Sequence, residues 1–125
     1  MESAFSIGIL LNSLGDIVLA TGVGNSFLEA GAFKNFSSPS KSLVVSMFTA
    51  SFFIHGVVRL VGSRNLGDRN LRLLTILSYL SESLQALHLI SNGAMEGPEA
   101  MPFIVAPWIV IAYLTLAYKD KEKKQ

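Results

Sequence analysis

With 125 residues, half of them apolar, and a formal net charge of +1, the chain holds one domain and leaves little sequence for a soluble module. The small net charge and the absence of a basic stripe exclude general attraction to nucleic acid. The absence of cysteine excludes disulfides, thiolate chemistry and cysteine-ligated metals.

Four apolar stretches, residues 5–27, 43–61, 71–90 and 103–118, predict an all-α, multi-pass membrane protein. The expected architecture is a bundle of four transmembrane helices with a short basic tail, 119–125. Each stretch approaches the ~20 residues that cross a bilayer core, and the last is the shortest. A soluble four-helix bundle is the competing reading. Its helices would need polar outer faces, and residues 103–118 contain no charge. The first stretch lacks a basic n-region and is long for a cleaved signal peptide, so it reads as a retained anchor.

The first predicted helix carries Gly8, Gly15 and Gly22, seven residues apart and so on one face, where a neighbouring helix could approach closely. The first connection, about 15 residues, places Phe33 and Phe36 at the membrane interface. In the second helix Ser46 and Ala50, with Ser42 before them, form a small-xxx-small series for packing. The turn 62–68 is tight enough to make helices two and three antiparallel neighbours. Pro102 suits a helix start. Pro107 predicts an irregular first turn in the fourth helix. Trp108 and Tyr118 are candidate anchors at opposite interfaces.

The lysines and arginines are unevenly shared. If all four stretches span, Arg59, Arg64, Arg69, Arg72, Lys119, Lys121, Lys123 and Lys124 share one side, and only Lys34 and Lys41 take the other. The positive-inside rule then puts both termini in the cytosol, or in the matrix or stroma of an organelle.

Polar residues inside apolar stretches are the candidate functional residues. Asp16 and Glu82 each lie eleven residues from a helix end on the positive side, about 16 Å along the axis, and so at one depth. Asn12 lies one turn from Asp16. Ser78, Ser81, Glu82, Gln85, His88 and Asn92 form a stripe on helix three. His55 and Arg59 are one turn apart near the positive end of helix two, where Arg59 can snorkel to the headgroups. These groups permit two readings: an acid/base or ligand site of Asp16, Glu82, His55 and His88, or hydrogen bonds between helices or to a partner. Metal-ligand spacings, nucleophile motifs and phosphate-binding loops are absent from the sequence, so no catalytic residue, metal or cofactor is assigned. In the tail, Lys121 and Lys123 stand fifth and third from the end, the spacing of a dilysine retrieval signal. The plainer reading of the tail is an anchor to anionic headgroups.

Phe48 with Arg59 at the end of the same helix, Leu71 and Thr75 at the start of the next, and the Ala106-Pro107 pair carry a resemblance to the ergosterol biosynthetic protein 28 family. It covers roughly residues 43–118. The family segment resembles Arg-Thr-Phe-Gly-x-Trp-Thr-Leu-Leu, followed by an arginine. Here Ser46 and Ser51 replace its arginine and tryptophan, and the family's His-x-x-x-Glu falls at Gln85 and Leu89. The resemblance implies a small four-helix endoplasmic reticulum protein that tethers the enzymes of sterol C-4 demethylation. On that basis the expected function is a non-enzymatic membrane scaffold whose partners are other integral-membrane proteins and lipids. An accessory subunit of a respiratory, ATP-synthase or photosynthetic complex, in the mitochondrial inner membrane or the thylakoid, is one alternative. A sterol or lipid isomerase using Glu82 or Asp16 is another.

Overall fold

The structure is a computed structural model that describes the backbone of residues 2–123 and the side chains of residues 4–118. Its elements are all helices: α1 (Glu2–Leu19), α2 (Gly22–Ala30), α3 (Lys41–Ser63), α4 (Arg69–Ser91) and α5 (Pro102–Lys123). No strand occurs among the described residues. α1 packs on α3, α3 on α4, α4 on α5, and α2 on both α1 and α3.

The first departure from the sequence expectation is a corner. The single helix expected over 5–27 is two helices, bent by 92° at Ala20 and Thr21. Thr21 is extended, with φ −91° and ψ 175°, and its carbonyl accepts from Gly24 N at 3.0 Å. A Cβ on Gly24 would lie 1.7 Å from the Leu19 carbonyl oxygen, so the corner needs glycine there. The corner also disperses the glycine face expected for packing. Gly22 lies beyond it, and a Cβ on Gly8, Gly15 or Gly22 would meet nothing within 4 Å. α1 instead turns Ile9, Ser13 and Asp16 inward.

Close helix approach is built on α3. A Cβ on Gly62 would sit 1.8 Å from Thr75 Oγ1 of α4, and one on Gly56 would sit 2.8 Å from Ile17 Cγ1 of α1. The small-residue series expected to pack is displaced: Ser46 is half-buried and Ala50 exposed. α3 and α4 are antiparallel neighbours, and Asp68 caps α4 by accepting from Leu71 N at 3.1 Å.

Two apolar cores lie at opposite ends of the bundle. One joins α2 to the loops through Leu28, Phe33, Val45, Phe48, Met95 and Ala100. Phe33 is fully buried there, edge-on to Phe48 at 5.8 Å between ring centres, and not at an interface. Loop 31–40 and loop 92–101 lock together: Glu96 N donates to the Ala32 carbonyl at 3.1 Å, Lys34 Nζ pairs with Glu99 Oε1 at 3.0 Å, and the Asn35 amide donates to Glu96. The first of the two groups holding the exposed Glu99 carboxyl below its ordinary value is its own backbone N–H, followed by the Lys34 ammonium.

The second core gathers Ile9, Leu66, Leu114 and Tyr118. Phe5 stacks on Tyr113 at 3.6 Å, and the Ser6 hydroxyl donates to the Ser63 carbonyl. The start of α1, the α3–α4 turn and the later part of α5 thus share one end of the bundle. Tyr118 is buried beneath the Arg72 guanidinium at 4.6 Å and is no interfacial anchor, whereas Trp108 is exposed.

α3 and α4, 23 residues each with mean hydropathies of 1.7 and 1.3, are long and apolar enough to cross a membrane. At 1.5 Å per residue each is about 34 Å long, against a core of roughly 30 Å. The bent α1–α2 pair adds a third candidate if it counts as one span, and the apolar part of α5, Pro102–Tyr118, is shorter. Two or three spans are therefore supported where four were expected. α5 runs through Pro107 without a break and continues to Lys123, so the separate tail 119–125 is in part helical. The side chains of Lys121 and Lys123, the candidate retrieval signal, lie outside the described residues.

Candidate functional site

Between the two cores lies a charged layer, assembled from residues of three helices, in α1 and α4 as pairs one helical turn apart. α1 supplies Asn12 and Asp16, α3 supplies Arg59, with His55 one turn away and not bonded to it, and α4 supplies Ser78 and Glu82. Arg59 is the hub. It is 0 % exposed and points into the bundle, not to the headgroups as its place near the helix end suggested. Its Nη1 donates to Asp16 Oδ2 at 2.5 Å and to Glu82 Oε1 at 2.9 Å, and lies 3.3 Å from Asn12 Oδ1. Its Nε donates to Ser78 Oγ at 3.0 Å and its Nη2 to the Ser78 carbonyl at 3.2 Å. The guanidinium carbon stands 3.7 Å above the Tyr79 ring, and the Tyr79 hydroxyl donates to Asn12 Oδ1 at 2.7 Å.

The energetics explain the inward turn of Arg59. An unpaired charge near the middle of a membrane costs roughly 2.5–3.5 kcal/mol on insertion scales. Asp16 and Glu82, 3 % and 7 % exposed, would each carry such a cost alone. One guanidinium between them lowers the cost for both, and its Nε and Nη2 each donate to Ser78. The common depth of Asp16 and Glu82 follows directly, since one nitrogen touches both.

The rest of the expected polar set does not join. His55 is buried and edge-on to the Phe52 ring at 6.2 Å, and its Nδ1 has no hydrogen-bond partner among the described residues. Gln85 Nε2 bonds Ser81 Oγ at 3.1 Å within its own helix. His88 is exposed, with Nε2 3.1 Å from Asn92 Nδ2. Gln85 and His88 open instead onto an outward groove of about 460 Å³ between α3 and α4, shared with Ser51 and Met47. No group of three potential metal ligands occurs among the described residues. Sequence reasoning missed Tyr79. The available signal was its place three residues before Glu82, on the same face of α4.

A cleft of about 400 Å³ leads to the charged layer. α1 and α5 touch through the Phe5–Tyr113 stack, and residues of both helices line the cleft. Ile9, Phe103 and Val110 wall the gap, while Asn12, Asp16, Tyr79 and Glu82 reach its polar end. Gly8, Asn12 and Ala106 are exposed along its mouth. Compared with known proteins, the chain matches no family model, no curated protein and no solved structure.

Proposed function

We propose that this is a non-enzymatic integral-membrane scaffold that holds other membrane proteins together. The observation that carries this reading is the outward groove on α3 and α4. Gln85 and His88 sit on a helix apolar enough to cross a membrane, yet they bond only within that helix and face outward. Polar side chains in such helices normally face protein, and interhelical hydrogen bonds are one of the forces that join helices in a bilayer. A partner helix over the groove would cover them. The charged layer supports the same reading, because Arg59 occupies one oxygen of each buried carboxylate and both histidines lie outside its contacts. The partners implied by the family resemblance are the enzymes of sterol C-4 demethylation, in the endoplasmic reticulum with both termini cytosolic.

The test is co-purification from mild detergent. Removing the protein should separate two such enzymes that otherwise co-purify, while each keeps its own activity. Gln85→Leu with His88→Leu should reproduce the separation. Enzymes that still co-purify without the protein would refute the scaffold. For orientation, a glycosylation acceptor in loop 37–40 should be modified in the endoplasmic reticulum and one after Gln125 should not. The reverse pattern would invert the topology.

The cleft favours a second reading, a sterol or lipid isomerase in which Asp16 or Glu82 moves a proton. General acid–base catalysis needs such a group beside a substrate cavity. Turnover of a lipid by the purified chain alone would establish it.

A further inference from the structure

The cleft between α1 and α5 ends on polar atoms that the fold leaves unused. Asp16 and Glu82 each give one oxygen to Arg59. Their other oxygens, Asp16 Oδ1 and Glu82 Oε2, have no protein partner among the described residues, although both side chains are more than nine-tenths buried and line the cleft. Both carboxylates touch the same Nη1, and both residues line the same cleft. Two carboxylates against one guanidinium also leave a negative charge in excess. Inside a membrane that excess is met either by a proton on one carboxyl or by a bound cation.

The walls state the rest of the requirement. Ile9, Phe103 and Val110 offer an apolar trough, and exposed Gly8 and Ala106 keep its mouth open. A volume of about 400 Å³ is in the range of small-molecule sites, which combine apolar walls with a few placed polar groups. An alcohol head would supply one donor and no charge. A quaternary ammonium would supply charge but no N–H. A primary ammonium supplies three donors and one positive charge.

We propose that the cleft binds a single-chain membrane amphiphile with a protonated primary amine head, the ammonium held by Asp16 Oδ1 and Glu82 Oε2 and the chain lying between α1 and α5. The site is separate from the α3–α4 groove on which the scaffold reading rests. Amine binding can therefore succeed or fail independently of partner assembly.

The experiment uses the full chain in phosphatidylcholine nanodiscs and a photoreactive hexadecylamine as probe. The amine should label peptides containing Phe103 or Val110. Unlabelled hexadecylamine should compete about tenfold better than unlabelled hexadecanol, a ratio equal to about 1.4 kcal/mol. Gly8→Leu narrows the mouth at an exposed position where an added Cβ meets nothing within 4 Å. It should lower labelling about tenfold, a comparable energetic effect. Asp16→Asn should abolish the preference for amine over alcohol. Equal competition by the two probes would overturn the proposal, because the excess charge would then be balanced by a proton. Labelling unchanged by Gly8→Leu would also overturn it, as simple partition into the bilayer. Should Asp16→Asn fail to fold, the amine–alcohol ratio and Gly8→Leu decide the matter.

Discussion

The molecule contains the same kind of contact in two very different settings. At the loop end, Lys34 and Glu99 pair at 3.0 Å with side chains 44 % and 40 % exposed. In the middle of the bundle, Arg59 meets Asp16 and Glu82 at 2.5 and 2.9 Å with almost no exposure. The exposed pair gains little, because water screens it and both side chains lose freedom on pairing. The buried layer does not owe its importance to a large net gain either. Its weight lies in the cost of disturbing it, since removing one partner strands charge where water cannot reach.

The largest expected effect comes from Arg59→Met. It leaves two buried carboxylates without a cation and should destabilise the fold by roughly 3–5 kcal/mol, read as loss of the folded form in detergent titrations. Arg59→Lys should be intermediate, because an ammonium cannot reproduce the planar set of bonds to Asp16, Glu82 and Ser78. Equal behaviour of Met and Lys would show that shape, not charge, matters there. Phe33→Ala should cost about 3–5 kcal/mol, comparable to the ion layer, by opening a cavity in the loop-end core. A loss below 1 kcal/mol would show that this core is not continuous with the helices.

Glu82→Gln keeps a hydrogen bond to Arg59 and should assemble nearly normally. Glu82→Leu should be worse by about 0.6 kcal/mol or more, the average for a membrane hydrogen bond. The smallest effect belongs to Lys34→Ala, within about 0–1 kcal/mol and weaker in high salt. Glu99 adds a pH dependence of definite sign. Its folded pKa lies below the ordinary 4.5, so its contribution is present above 4.5 and is lost as pH falls through the lower folded value. Lys34→Ala should therefore matter least in acid. An effect that grew on acidification would contradict the pairing.

Much of the helical framework was legible in the sequence, for specific reasons. The helices over 41–63 and 69–91 were expected within two residues at each end, because long apolar stretches bounded by Ser, Gly and Asp leave little alternative. The shared depth of Asp16 and Glu82 followed from counting residues to the helix ends. The direction of Arg59 did not. Distance to a helix end permits snorkelling, and only the meeting of three helices shows that two carboxylates claim the guanidinium. The corner after Leu19 was hidden because glycine spacing reads equally as a packing face or a bend. The clash that would befall a Cβ on Gly24, and the open space beside Gly8 and Gly15, decide between them only in three dimensions. The glycines of α3, Gly56 and Gly62, carried the packing that those of α1 were expected to carry.

The central claim is that Arg59, Asp16 and Glu82 form a buried structural clasp in which the guanidinium holds both carboxylates. The most direct measurement compares the unfolding free energy of Arg59→Met with that of the triple variant Arg59→Met, Asp16→Asn, Glu82→Gln. If the clasp holds the fold by mutual compensation, the triple variant should recover most of the roughly 3–5 kcal/mol lost in the single one, because no buried charge is left stranded. A triple variant as unstable as Arg59→Met alone would contradict the account.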